Sequence, residues 1–289
     1  MLSRIAPALF VVLWSTGFIG TKLGASGAEP FTFIAIRFLL VLVLLVALAW
    51  LTSARRLSGL ERLHAMTVGI LVYATYLSGV MWAMRAGMSA NVSALIVSLQ
   101  PVLTAVLAGL FLGEVITRLN WLGVGLGLIG AALVVAPKLM TAASTGITPA
   151  TLFSVTLALF AITIGTIYQK RYAGGIDLLA GAIWQYTGAL AVVAPLALLF
   201  ESGHIEWTPG VAGALAWLVI VLSIGAMGLL LMLIRENAVS RTSALFYLVP
   251  GVTAVMSYLM FGEKLTIVQL IGLVVVSFAV LLMQVKGSV

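Results

Sequence analysis

Apolar runs long enough to cross a bilayer recur ten times in this chain, and no other feature constrains its fold as hard. They fall at about 5–24, 31–52, 65–84, 90–112, 119–137, 149–169, 178–200, 210–233, 242–262 and 266–285. Each holds roughly 19 to 24 residues, which at helical rise matches about 30 Å of hydrocarbon. The links hold about a dozen residues at most, so successive helices run antiparallel as neighbours and leave no room for an extramembrane domain. Composition agrees, with 63% of 289 residues hydrophobic, 8% charged and a mean hydropathy of +1.23. A soluble domain could not cover its surface from that stock. A net charge of +7 would point a soluble protein toward nucleic acid. Here the bases lie between apolar runs, so a lipid bilayer is the expected partner and no nucleic acid is. The absence of cysteine excludes disulfides and thiolate metal sites. The first run, behind Arg4, is too long for a signal-peptide core and is read as the first span.

The chain also repeats itself. Ser93 to Glu114 reads SALIVSLQPVLTAVLAGLFLGE, and Ser243 to Glu263 reads SALFYLVPGVTAVMSYLMFGE. Pro101 and Pro250, Gly113 and Gly262, Glu114 and Glu263, and Gly123 and Gly272 are each 149 residues apart. Ser93 and Ser243 are 150 apart, as are Arg85 and Arg235, while Gly17–Gly165 and Lys22–Lys170 make a weaker match at 148. The chain therefore divides into two halves of five segments, residues 1–140 and 141–289. With the N-terminus in the cytoplasm, the inner loops hold Arg4, Arg55, Arg56, Arg62, Arg118, Lys170, Arg171, Arg235, Arg241 and Lys286. The outer loops hold only Lys22, Arg85, Lys138 and Lys264. This bias puts both termini in the cytoplasm. Because five is odd, the second half enters from the opposite side, giving the inverted repeat of many secondary transporters.

These residues resemble a known family. Trp14-Ser15-Thr16-Gly17-Phe18, Lys22, Pro30 and Arg37-Phe38 resemble the opening of the EamA family of the drug/metabolite transporter superfamily. Leu99-Gln100-Pro101, Phe111-Leu112-Gly113-Glu114 and Gly123 resemble the end of its first repeat, and Leu248-Val249-Pro250, Phe261-Gly262-Glu263-Lys264 and Gly272 the end of its second. Within the family the chain is most similar to bacterial YddG-type exporters of amino acids. The resemblance implies ten helices in two inverted repeats, with substrate held between the halves by helices 1, 3, 4, 6, 8 and 9. It does not fix the substrate, since the family carries amino acids, sugars, nucleotides and drugs.

All eight acids lie in loops or at the ends of the runs, so no carboxylate is expected mid-membrane to bind a cation or relay a proton. That disfavours proton-coupled multidrug exchange. An enzyme is also disfavoured, because no H-E-x-x-H, intramembrane Asp pair or Ser with a Lys or His base is present. No metal or cofactor is expected. Arg37 is the one charge inside a run, about 9 Å from its outer end. It is either an anion partner for substrate or a structural arginine bonded to carbonyls.

Pro101 and Pro250 lie near the centres of their runs, where proline frees backbone carbonyls and bends a helix. With Gly17 and Gly165 they are expected to act as hinges or to shape a cavity. Ser98 and Gln100 beside Pro101, and Tyr247 beside Pro250, offer polar groups that are hard to leave facing lipid. Trp14, Tyr73, Tyr76, Trp82 and Trp184 complete the expected substrate contacts, with packing as the alternative. Glu114 and Glu263 are read as caps after glycine stops, and Gly123, Gly127 and Gly130 as a close-packing or dimer face. The resulting expectation is a bacterial inner-membrane exporter of small metabolites, amino acids including aromatic ones first, working by alternating access. Exporters of other metabolites or drugs, and a receptor or assembly subunit that transports nothing, are the rivals.

Overall fold

Helix starts are written locally in the sequence. Pro30 opens one helix directly, and Ser58 caps another while Glu61 bonds back to the Ser58 amide. Thr148 and Thr208 each cap a helix whose next residue is proline, and Asp177 caps a further one. The computed structural model describes residues 2–52, 55–88, 90–97, 99–113, 115–141, 146–236, 239–261 and 266–284. The helices are α1 Leu2–Gly27, α2 Pro30–Thr52, α3 Gly59–Arg85, α4 Ala90–Val97, α5 Gln100–Leu112, α6 Arg118–Thr141, α7 Pro149–Ala173, α8 Leu178–Phe200, α9 Pro209–Glu236, α10 Val239–Ala244, α11 Leu248–Phe261 and α12 Ile267–Gln284. Among the described residues no strand forms, and six helices (α1, α2, α3, α7, α8 and α9) are long and apolar enough to cross a membrane. The chain is thus an all-helical multi-pass membrane protein.

The fourth and ninth apolar runs depart from expectation, because neither is one continuous helix. The fourth breaks into α4 and α5, and Pro101 lies in the first turn of α5 rather than mid-helix. The ninth breaks into α10, a tight 3₁₀ turn at Leu245–Tyr247 and α11, whose third residue is Pro250. Proline has no amide hydrogen to donate, so it is tolerated where a helix starts, and the chain breaks just ahead of it. Gly113 stops α5 in the left-handed conformation at φ +67°, as its position before an acid predicts. Glu114 and Glu263 lie outside the described residues.

Three long helices contain wider π-helical stretches: Gly69–Thr75 in α3, Gln169–Ala173 in α7 and Leu218–Ala226 in α9. Such stretches free carbonyls that regular helix would occupy. The Gly123, Gly127 and Gly130 face is used within the chain. A Cβ on Gly130 would lie 2.9 Å from the Gly272 carbonyl of α12, and one on Gly127 would enter the Tyr247 ring. Gly123 and Gly130 thus let α6 pack closely on α12, and Gly127 makes room for Tyr247.

A polar clasp joins the α1–α2 turn to the α8–α9 loop. Glu201 accepts the Phe31 and Thr32 amides at 2.9 and 2.6 Å, capping α2 from across the bundle. Glu29 accepts the His204 amide at 2.8 Å and the Ser202 hydroxyl at 3.2 Å. The His204 amide holds the Glu29 carboxyl below its ordinary range, helped by the Ser202 and Gly203 donors. A lowered carboxyl stabilises the fold at neutral pH, and that contribution fades as pH falls through its folded value. Melting temperatures taken from pH 7 to pH 3 should therefore fall less steeply for Glu29→Gln than for the wild type.

Candidate functional site

α1, α2, α3 and α9 converge on a narrow central cleft. Its walls include Trp14, Gly17 and Phe18 from α1, Arg37 from α2, Tyr76 and Val80 from α3, and Leu218 and Leu222 from α9. Its free volume is about 30 Å³, room for a water or two. The residue types explain the convergence. Small Gly17 lets Leu222 approach, with a Cβ there falling 3.1 Å from Leu222 Cδ1. Trp14 then stacks on Tyr76 with centroids 6.2 Å apart and planes 11° apart. Phe246 meets Trp14 edge-on at 5.1 Å, and Phe10 backs both rings. The cleft is thus an aromatic wall built on rigid helices.

Arg37 faces that wall. It is 3% exposed, and its Nε donates to Ser223 Oγ at 2.9 Å. That is its one hydrogen bond among the described residues, and no carboxylate there pairs with it. Its observed partner is thus a hydroxyl of the neighbouring α9 rather than a backbone carbonyl. Ser223 sits in the π-helical stretch of α9, and its own carbonyl accepts the Tyr186 hydroxyl at 3.2 Å. Tyr186 stacks on Tyr73 at 4.4 Å, and Tyr73 donates to Gln185 Oε1 at 2.9 Å. Gln185 in turn donates to Gln169 at 3.0 Å. A buried polar chain thus runs from the cleft to the end of α7. The sequence reading missed Ser223 and Gln169. Ser223 left a signal as the one polar side chain in the stretch LVIVLSIGA, but Gln169 had none beyond its type.

Of the expected contacts, the cleft brings together Trp14, Tyr76, Gly17 and Arg37. Tyr73 lies behind it, fully buried in the polar chain. Trp82 lines a different crevice of about 390 Å³ with Phe31, Ser78, Phe153 and Ser154. Although larger, that crevice has Phe153 70% exposed on its rim and contains no charged side chain, so it opens on the apolar flank of the bundle. Trp184 lies under the Arg62 guanidinium at 5.1 Å. Tyr247 donates to the Val124 carbonyl at 3.1 Å, and Gly165 packs on Val72. Ser98 lies outside the described residues, as does the Pro250 side chain.

Gln100 and Pro101 are buried in α5 away from the cleft lining, and both Gln100 amide atoms lack a partner among the described residues. Ser93, Thr104, Ser243 and Thr253, on α4, α5, α10 and α11, likewise bury hydroxyls that have no partner among the described residues. An orphaned amide costs about 1–3 kcal/mol, whereas an apolar side chain of similar shape costs nothing comparable. Gln100→Leu should therefore raise the melting temperature by a few degrees. If the temperature falls, Gln100 has a partner in the resting state. No three His, Asp or Glu side chains converge as metal ligands among the described residues.

Apolar helices thus surround a narrow cleft, and among the described residues Arg37 is the one buried charge. The chain belongs to the EamA-like transporter family, whose model matches residues 5–136 and again residues 149–285. It is 26% identical over 277 residues to the uncharacterized inner membrane transporter YedA of Escherichia coli K12, covering 95% of this chain and 88% of YedA. It is 27% identical to the uncharacterized transporter YvbV of Bacillus subtilis, covering 97% and 91%, and 24% identical to the chloroplastic WAT1-related protein At3g02690 of Arabidopsis thaliana, covering 97% and 68%. A solved crystal structure superposes with a TM-score of 0.79 over 97% of this chain and 95% of its own, at 17% identity, which is a likeness of fold.

Proposed function

We propose that this membrane transporter exports small amphipathic metabolites, amino acids including aromatic ones first, by alternating access through the central cleft. The carrying observation is the narrow aromatic cleft with Arg37 at its wall, which no carboxylate pairs among the described residues. A 30 Å³ space cannot hold such a solute, so the helices around it must separate to admit one. In this reading ten spans form two inverted halves, residues 1–140 and 141–289. The separate match of each half to one family model supports that division. So do the π-helical stretches of α3 and α9, which begin 149 residues apart at Gly69 and Leu218, the spacing of Pro101 and Pro250.

Trp14, Tyr76 and Arg37 contact substrate once the helices around the cleft separate. Gln100, Ser98 and Tyr247 meet it once α5 and α11 move, and the breaks before Pro101 and Pro250 supply that movement. Gly17 and Gly165 let the helices approach. Tyr73, Trp82 and Trp184 are reassigned to packing. The protein is not an enzyme in this reading, and it uses no intramembrane acid for coupling. It sits in a bacterial inner membrane with both termini cytoplasmic, consistent with the loop charges and with YedA. Proteoliposome flux of labelled phenylalanine, threonine and a neutral sugar tests the proposal. Saturable amino-acid flux is expected, and equal, unsaturable leakage of all three would contradict it.

A further inference from the structure

We propose that Arg37 makes the cleft a monocarboxylate site: the group recognised is the substrate's carboxylate, and an α-ammonium group is tolerated rather than required. This rests on the transport reading above and names its substrate class.

The argument begins with an uncompensated charge. A guanidinium taken out of water is costly, and one bond to a neutral hydroxyl does not offset that. Arg37 has no carboxylate partner among the described residues, and the described acids (Glu29, Glu61, Asp177, Glu201, Glu206 and Glu236) lie between helices or at their ends. Among the described residues nothing supplies the counter-charge, and in this proposal a solute carboxylate does. Ser223 holds the arginine by its Nε, and no described group takes the two terminal nitrogens of this cleft-lining side chain. Their planar fork matches a carboxylate with two parallel bonds.

Charge count then limits the ligand. One arginine neutralises one negative charge, so a monoanion fits and a phosphorylated solute does not. The same arginine repels a cationic drug through a low-dielectric cleft. Among the described residues no acid lines the cleft to pair with an ammonium group, which would meet the Tyr76 and Thr21 hydroxyls instead. The Trp14, Tyr76 and Phe18 rings take the apolar body of the solute. Phenylalanine satisfies this description, but so does 3-phenylpropionate, which lacks the amine.

The test uses the purified full chain and thermal shift with four probes: 3-phenylpropionate, its neutral isostere 3-phenylpropionamide, phenylalanine and phenethylamine. The wild type should be stabilised by 3-phenylpropionate and by phenylalanine, and not by the amide or the amine. Arg37→Gln should weaken both carboxylates on the order of 10- to 100-fold, the worth of one charge-assisted contact. Arg37→Lys should keep the preference for carboxylate over amide at reduced affinity, and Ser223→Ala should weaken binding while leaving that preference intact. These two variants carry the test if Arg37→Gln does not fold. A wild type stabilised equally by acid and amide, no shift with any probe, or an Arg37→Gln protein that binds carboxylates as well as the wild type would overturn the assignment. Proteoliposome flux separates the two claims. Phenylalanine flux without carboxylate discrimination overturns the Arg37 assignment alone. Carboxylate-dependent stabilisation without flux supports that assignment and overturns the transport reading alone.

Discussion

Gly69→Leu is expected to yield no folded protein, and Gly69→Ala to lower the melting temperature by on the order of 10 °C. A Cβ at Gly69 would stand 1.8 Å from the Gln185 carbonyl oxygen, 2.5 Å from its carbon and 2.7 Å from its Cα. All three atoms are backbone, so no rotamer change relieves the overlap and α3 must move away from α8. Overpacking alone costs about 1–3 kcal/mol. The shift also breaks the Tyr73–Gln185 bond, orphaning buried groups worth about 1–3 kcal/mol each. The gain in helix propensity from glycine to alanine is only about 1 kcal/mol, so the clash decides the sign. Gly228→Ala is the control. It lies in α9 with nothing within 4 Å of the added carbon, and its stability should hold or rise slightly. Thermal denaturation in detergent, followed by tryptophan fluorescence, reads all three variants.

The second large effect falls on transport. Trp14→Ala should lower kcat/KM for phenylalanine on the order of 100-fold, mostly through KM, and Trp14→Phe should recover most of it. Trp14 lines the cleft and stacks on Tyr76, so its loss removes the surface against which an apolar solute body rests. Loss of a buried tryptophan also costs stability, about 3–5 kcal/mol, so a packing control is needed. Phe246→Leu supplies it. Phe246 packs edge-on against Trp14 but does not line the cleft. That variant should lose stability while keeping KM within a few-fold of the wild type. A KM rise as large as that of Trp14→Ala would show that the ring acts only through packing.

The helical, membrane-spanning character was legible because apolar run length and composition are local properties, and helix starts such as Pro30, Ser58 and Thr148 carry their own caps. Family membership was legible through a handful of spaced residues. The breaks ahead of Pro101 and Pro250 were misread as mid-helix bends, because an apolar run does not show where its hydrogen-bond ladder stops. Site membership was harder still. Tyr73 and Tyr76 are three residues apart, yet one lies in a buried polar chain and the other lines the cleft, since the π-helical stretch ending at Thr75 re-aims the side chains around it. Arg37 was visible as an intramembrane charge. Its fate depended on Ser223, 186 residues away, which no periodicity links to it.

Counterflow tests the central claim most directly. Proteoliposomes preloaded with unlabelled phenylalanine and diluted into a trace of labelled phenylalanine report exchange through a site that faces one side at a time. The alternating-access account predicts a transient overshoot of label inside, lost in Trp14→Ala. Label that only rises to equilibrium at the rate of empty liposomes would contradict it.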